Sequence, residues 1–103
     1  MKYVVTWTLR SGGSAAENEA AADRVLEVFS KWSPPSDQTF HQFVVRADGN
    51  GGFAVVETDN LAGVALNNFK FSTYLDFEVY PVLDIQEGTG LLTEAAEWRR
   101  SIT

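Results

Sequence analysis

Hydrophobic and polar residues alternate along the first nine positions of the chain. Tyr3, Val5 and Trp7 fall on one side of an extended backbone, and the residues between them fall on the other. A period of two, built from β-branched and aromatic side chains, predicts a β-strand. Three later segments have the composition of further strands: 39–46, 52–58 and 77–83.

Apolar residues recur at helical spacing between Ser14 and Trp32. They form one stripe, which consists of Ala22, Val25, Leu26, Phe29 and Trp32. Such a stripe is typical of a helix that packs on a core. Ser14 and Glu17 have the spacing of a capping box at the start of this helix, and Ser33-Pro34-Pro35 ends it.

Two shorter apolar patterns predict a second and a third helix. The second follows Asp59 and Asn60, which are suitable N-caps. Its apolar residues are Leu61, Ala65, Leu66 and Phe69, and those of the third helix are Leu91, Leu92, Ala95 and Trp98. Arg99 and Arg100 follow at the negative end of the third helix dipole, where cations are favoured.

The predicted order of elements is β-α-β-β-α-β-α, and its first six elements match the ferredoxin-like βαββαβ arrangement. We therefore predict an α+β fold with a four-stranded antiparallel sheet in the order 4-1-3-2, two helices on one face and an added C-terminal helix. Pro81 cannot donate a hydrogen bond in a sheet, so it predicts an edge position for the fourth strand. Residues 1–103 are expected to form one domain.

The alternation also predicts which residues lie on the sheet face away from the helices. That set is Val4, Thr6, Thr8, Phe40, Gln42, Val44, Arg46, Phe53, Val55, Glu57, Glu78, Tyr80 and Val82. Its apolar members form a patch too large to leave in water on a monomer. We therefore expect a homodimer in which two sheets pack face to face.

Composition limits the class of partner. The chain has 8 Lys and Arg against 14 Asp and Glu, a net charge of −6, so neither a nucleic acid nor a membrane surface is an expected partner. It contains no cysteine, which excludes disulfides and thiolate chemistry. Its first residues have no signal-peptide core, and a cytoplasmic location is expected.

Four segments carry a resemblance to a known family: MKYVVTWTL, the Ser-Pro-Pro after the first helix, FHQFVVRADGNGGFAVVETDN and LDFEVYPVLDIQEG. Together they resemble a bacterial family of short proteins that is known only as a domain of unknown function, within the dimeric α+β barrel superfamily. The resemblance implies a ferredoxin-like fold and a homodimer, and it brings no catalytic residues. The wider superfamily includes cofactor-independent monooxygenases, haem-degrading enzymes, chlorite dismutases, muconolactone isomerases and ligand-sensing regulator domains, so the fold does not fix a function.

The segment FHQFVVRADGNGGFAVVETDN holds the only histidine of the chain. Its glycine-rich tip is followed by a strand and not by a helix, which favours a hairpin turn over a phosphate loop. The candidate ligand-binding residues here and on the fourth strand are Arg46, Glu57, Glu78, Tyr80, Gln42 and His41. Alternation places His41 on the helix-facing side with Phe43, so a packed histidine is the favoured interpretation.

Two interpretations of these polar residues stay open. In a barrel interior, burial would raise the pKa of a carboxyl group towards a range suited to acid–base chemistry. Alternatively, Arg46 and a carboxylate would only pair across the dimer interface. No ligand spacing indicates a metal site, and no cofactor is expected. The leading hypothesis is a dimeric barrel that binds a small apolar or aromatic compound. As an enzyme, it would act on this compound without a cofactor. The alternative is a non-enzymatic structural or ligand-sensing dimerisation module.

Overall fold

The computed structural model describes residues 1–102. Its elements are, in chain order, β1 (Lys2–Leu9), α1 (Ala15–Lys31), β2 (Thr39–Val45), β3 (Gly51–Glu57), α2 (Leu61–Phe71), β4 (Leu75–Val82) and α3 (Ile85–Ser101). The predicted order of elements is confirmed. α3 begins at Ile85, well before Leu91, the first residue of its predicted apolar pattern. The sequence did not indicate these first turns because Gly88 and Gly90 weaken the helical pattern there, although they do not prevent the helix.

The four strands form one antiparallel sheet in the order β2-β3-β1-β4. Read from the other edge, this is the order 4-1-3-2, so the predicted ferredoxin-like arrangement is confirmed. β4 is an edge strand. Pro81 therefore lies where a strand has a partner on one side only, which is where proline is tolerated.

The helix ends and the hairpin follow local sequence signals. Ser14 Oγ accepts a hydrogen bond from the Glu17 N–H at 3.1 Å, and Asn60 Oδ1 accepts one from the Gly63 N–H at 2.9 Å. The glycine-rich tip joins β2 to β3 as a hairpin, as predicted. Gly49 has a φ of 76° there, a left-handed conformation that glycine adopts without strain.

The two faces of the sheet differ in what covers them. Val5, Ala54 and Val56 are buried together with Val64 of α2, and we call their face the helix side. The opposite face, which we call the open face, carries Val4, Thr6, Gln42, Val44, Phe53, Val55, Glu57, Glu78, Tyr80 and Val82. Side chains on the open face such as Phe53 are exposed to solvent.

A bulge in β2 changes the faces of two residues. The register passes from Phe40 opposite Val56 to Gln42 opposite Val55, so His41 is the extra residue. Phe40 consequently lies on the helix side, while His41 contacts Glu57 of the open face. The prediction that placed Phe40 on the open face and His41 on the helix side is wrong, because strict alternation does not survive a bulge.

α3 extends away from the sheet. None of its residues is buried, and the longest dimension of the chain is 62 Å, with a Cα radius of gyration of 18.1 Å. A compact chain of this length has a radius of gyration of about 13 Å. Within residues 1–102, neither α3 nor any other helix is both long and apolar enough to cross a membrane.

Candidate functional site

An apolar cavity of about 550 Å³ lies between the helix side of the sheet and the helices α1 and α2. The complete predicted stripe of α1 lines it: Ala22, Val25, Leu26, Phe29 and Trp32. No residue of α1 is buried, so this helix stands off from the sheet. The space beneath it is the cavity.

Aromatic rings form most of the wall where α1 faces β2. The Trp7 and Phe43 rings meet edge to face at a centroid distance of 5.7 Å, and Trp32 meets Phe40 in the same way at 5.8 Å. Gly52 lies opposite Trp7 in the sheet, and a Cβ at that position would press against the Trp7 ring. The absence of a side chain at Gly52 therefore lets the indole pack directly against β3.

Three polar side chains form a hydrogen-bonded chain in this otherwise apolar wall. The Trp32 indole Nε1–H donates to Asn67 Oδ1 at 3.3 Å, and Asn67 Nδ2 donates to Gln38 Oε1 at 2.9 Å. Gln38 is only 7% exposed, and its Nε2 has no hydrogen-bond partner within residues 1–102. A buried amide with an unpaired donor costs free energy until something accepts from it.

The lining of the cavity limits its chemistry. Among the described residues that line it, none is an Asp, Glu, His, Lys, Arg or Tyr. Indole and amide groups are therefore the polar side-chain groups that line this space, and they donate or accept hydrogen bonds without titrating near neutral pH.

A second cavity of about 520 Å³ lies on the other side of α2, against β4. It has two aromatic side chains, Phe69 and Phe77, and Phe69 is 70% exposed. Arg10 and Asp76 border it and pair with each other at 2.7 Å between Nε and Oδ1. This second cavity is less aromatic than the first and has a satisfied ion pair at its edge.

None of the six candidate residues predicted from the sequence lines either cavity. His41 and Glu57 lie together, with 2.7 Å between Nε2 and Oε1. Next to them, Lys2 Nζ donates to Asp84 Oδ1 at 2.7 Å. That hydrogen bond raises the pKa of Lys2 and lowers the pKa of Asp84.

The other four predicted residues are spread over the open face and the hairpin. The Tyr80 hydroxyl donates to Glu78 on the same strand, and Gln42 lies near the middle of β2. Arg46 pairs with Asp48 inside the hairpin turn. Glu57 is the last residue of β3, whereas Arg46 lies in the turn before the first residue of that strand. The structure therefore brings His41 and Glu57 together but keeps Arg46 apart from both.

Within residues 1–102, no group of three His, Cys, Asp or Glu side chains is arranged to hold a metal ion. The residues that the sequence interpretation missed are Gln38 and Asn67. Asn67 falls between Val64 and Phe71, which are the buried residues of α2, and a polar residue at such spacing on the apolar side was a readable signal. Gln38 lies in a loop before β2, where no periodicity indicates burial.

Comparison with known protein families identifies one family that matches nearly the whole chain. The family described as a domain of unknown function (DUF3303) matches residues 1–96. The chain belongs to the DUF3303 family. The resemblance to a family of unknown function is thereby confirmed.

Among the solved structures similar to this DUF3303 domain is SnoaB, a cofactor-independent oxygenase from Streptomyces nogalater. The sequence identity is 15%, the match covers 81% of this chain and 92% of that chain, and the TM-score is 0.31. No curated protein sequence matches the DUF3303 chain at a significant level.

Proposed function

We propose that this DUF3303 domain binds a small, flat and largely apolar molecule in the cavity between α1, α2 and the sheet. The observation that carries the proposal is the aromatic wall of a cavity of about 550 Å³, a volume within the range of roughly 300–1,000 Å³ that small-molecule sites occupy. Apolar walls with a few convergent polar groups are the usual composition of such sites.

The polar chain at the wall sets the orientation of the bound molecule. Trp32, Asn67 and Gln38 hold one another in place. Asn68 lines the same cavity and makes no side-chain hydrogen bond within residues 1–102, so its amide can pair with a hydrogen-bond acceptor on the bound molecule. An aromatic ring system with a carbonyl or hydroxyl oxygen fits this combination of walls and donors.

The lining favours binding over acid–base catalysis. A general acid or base must lie within hydrogen-bond reach of the proton that it moves, and the described residues of this wall supply none. A reaction in this cavity would depend on the reactivity of the bound compound itself. We therefore place ligand binding or sensing ahead of an enzymatic role.

Two copies of the chain pair through their open faces in this proposal. The central part of that face is apolar, with Phe53 and Val44 exposed, and a partner sheet would remove them from water. Five of the predicted residues would then lie between the two sheets: His41, Gln42, Glu57, Glu78 and Tyr80. Arg46 would lie near the end of this interface.

A polar site between the paired sheets is the second candidate function. The contact of His41 with Glu57 favours it, because an imidazole and a carboxylate are the groups that exchange protons in acid–base sites. Since the two side chains act as a pair, His41→Gln and Glu57→Gln should change such a site to a similar extent. Equal, unchanged binding and turnover in both variants would exclude this second candidate.

Filling the cavity tests the principal proposal. Ala22 lines the cavity and is exposed at the protein surface, whereas Ala20 lies on the opposite side of α1. Calorimetric titration with 2-naphthol and 1-tetralone should show affinity reduced about tenfold or more in Ala22→Trp and unchanged in Ala20→Trp. Failure of the native chain to bind either probe at millimolar concentration, or equal loss in both variants, contradicts the proposal.

A further inference from the structure

α3 carries an apolar surface that its own chain leaves in water. Its large apolar residues, together with the residue that ends the helix, are Ile85, Leu91, Leu92, Trp98 and Ile102, and each is between 50% and 78% exposed. Leu91, Ala95, Trp98 and Ile102 repeat at steps of four, three and four, so they lie along one side of the helix. We call these four residues, Leu91, Ala95, Trp98 and Ile102, the α3 stripe.

A second apolar surface surrounds the mouth of the cavity. Leu9, Leu26, Phe29, Phe43 and Val45 line the cavity, yet each is between 41% and 71% exposed. We call these five residues the cavity rim. Exposed apolar residues that are grouped around one opening, as these are, indicate a surface that another molecule covers.

The α3 stripe does not cover the cavity rim of its own chain. α3 follows β4 at one edge of the sheet, while Phe43 and Val45 of the rim are on β2 at the other edge. No residue of α3 lines the cavity within the described chain. The extent of 62 Å also shows that α3 leaves the body of the molecule.

We infer that α3 docks across the cavity rim of a second copy of this chain, and that each copy both gives and receives a helix. A helix of 17 residues is about 25 Å long, which exceeds the width of roughly 15 Å of four adjacent strands. α3 is therefore long enough to cross the mouth of the second copy's cavity. Part of the α3 stripe would close that cavity.

The exchange is compatible with the face-to-face pairing on which it rests. When the two-fold axis between stacked sheets runs along the strands, β4 of one copy lies over β2 of the other. α3 then starts beside the edge strand β2, which carries two of the five rim residues of the second copy, Phe43 and Val45. The docked helices form two identical contacts, as two-fold symmetry requires.

The charges of the two surfaces are complementary. Arg99 and Arg100 lie in the last turn of α3, and neither has an ion-pair partner within residues 1–102. Glu19 and Asp23 lie seven and three residues before Leu26 on the same side of α1, and neither has an ion-pair partner in the described chain. Two copies that each carry a net charge of −6 repel, so a local contact of opposite charges helps to select this surface.

The docked helices and the paired open faces would form one continuous dimer interface. Specific interfaces bury on the order of 1,600 Å² in total. Each docked helix would bring three large apolar side chains, Leu91, Trp98 and Ile102, onto the five residues of the cavity rim, and the exchange makes this contact twice. The paired open faces would add Phe53, Val44 and their neighbours to the same interface.

Site-specific cross-linking tests the exchange, because the native chain has no cysteine. Leu26→Cys places a thiol on the rim, and Ala95→Cys places one on the stripe. Treatment of the double variant with a short bis-maleimide should give a covalent dimer in denaturing electrophoresis. Each single variant alone should remain a single chain.

Each other outcome overturns the exchange. A cross-link within one chain of the double variant would show that α3 folds back on its own rim. A covalent dimer of Ala95→Cys alone would show that two α3 helices pair with each other. If sedimentation shows a dimer that does not cross-link, the face-to-face pairing stands and the exchange fails; a monomer contradicts both.

Charge placed on the stripe gives a second test that does not depend on cross-linking. Leu91→Glu/Trp98→Glu should raise the dimer dissociation constant about tenfold or more, since buried aromatic anchors dominate interfaces. Thr93→Glu adds charge to the opposite side of α3 and should leave the constant unchanged. Circular dichroism checks that both variants fold. An equal effect of both variants, or no effect of either, overturns the exchange.

Discussion

The two faces of the sheet differ in how far they are buried. On β3, Val56 is 2% exposed and belongs to the core, while Phe53 on the same strand is 42% exposed on the open face. The helix side has two helices over it and still encloses a cavity. The open face has an apolar centre, polar ends and no cover within residues 1–102.

The difference separates what one chain completes from what it leaves for another molecule. Covering the helix side requires only α1 and α2, which the chain supplies, and the unfilled space under α1 suits a ligand. The open face and the α3 stripe need a second copy in our account. Predictions that treat neighbouring residues on the two faces differently test this division.

The largest difference is expected between Val56 and Val55, adjacent residues on opposite faces of β3. Val56→Ala removes buried methyl groups from the core and should lower the free energy of unfolding by about 2 kcal/mol. Val55→Ala should cost less than about 1 kcal/mol in a dilute monomer. Urea denaturation of both variants, followed by circular dichroism, measures the two values.

Protein concentration sharpens this comparison. If the open face is an interface, the cost of Val55→Ala should grow as the concentration rises above the dimer dissociation constant. Val56→Ala should show the same cost at every concentration. Equal costs for the two variants in the monomer would contradict the division of the faces.

A smaller effect is expected from the polar chain in the cavity wall. Asn67→Leu leaves the Trp32 indole and Gln38 without their partner and should lower the free energy of unfolding by about 1–2 kcal/mol. Asn68→Leu is the matched control, because Asn68 lines the same cavity and makes no side-chain hydrogen bond within residues 1–102. Its effect should stay within about 0.5 kcal/mol.

The chemical-denaturation midpoint and the Trp32 indole N–H resonance report on the two asparagine variants together. If Asn67 only fills space, Asn67→Leu should change the denaturation midpoint and leave the Trp32 indole resonance in place. If Asn67 accepts the indole hydrogen bond, Asn67→Leu should also shift that resonance. Identical behaviour of Asn67→Leu and Asn68→Leu would remove the polar chain from the account.

The smallest effect concerns the Lys2–Asp84 link at the end of the open face, where β1 meets the start of α3. The hydrogen bond from Lys2 lowers the pKa of Asp84 below its usual 3.8, so the link is present above pH 3.8 and is lost as the pH falls through the lowered pKa. The same bond raises the pKa of Lys2 above 10.5. The link is therefore also lost as the pH rises through that raised value.

Nuclear magnetic resonance titration of the Asp84 carboxyl group measures this link directly. In the native chain the pKa should lie below 3.8, and in Lys2→Met it should move up towards that value. Asp84 is exposed and Lys2 is only half-buried, so little change in overall stability is expected. A pKa of Asp84 that does not respond to Lys2→Met would show that the two side chains do not pair in solution.

Much of the fold could be predicted from the sequence because its signals are local. Pro81 indicated an edge strand, Ser14 and Asn60 indicated helix starts, and Ser33-Pro34-Pro35 ended α1 as expected. The bulge at His41 could not be predicted, since an extra residue in a strand leaves no trace in alternation. One bulge was enough to exchange the faces of Phe40 and His41.

The candidate site was harder to predict than the fold, for a physical reason. The apolar stripe of α1 indicates that the helix faces the sheet, but the distance at which it stands off decides between a packed core and a cavity. That distance depends on tertiary packing. Sequence reasoning therefore followed the charged residues to the open face, and passed over the amides Gln38 and Asn67 on the helix side.

The most direct test of the binding proposal is a map of where a small aromatic probe contacts the protein. Amide and indole N–H resonances of the ¹⁵N-labelled chain should be followed during titration with 2-naphthol. The account predicts that the indole resonances of Trp7 and Trp32 and the side-chain amides of Gln38 and Asn67 shift with one common dissociation constant. Shifts confined to open-face residues such as Phe53 and Tyr80, with these four unchanged, would contradict it.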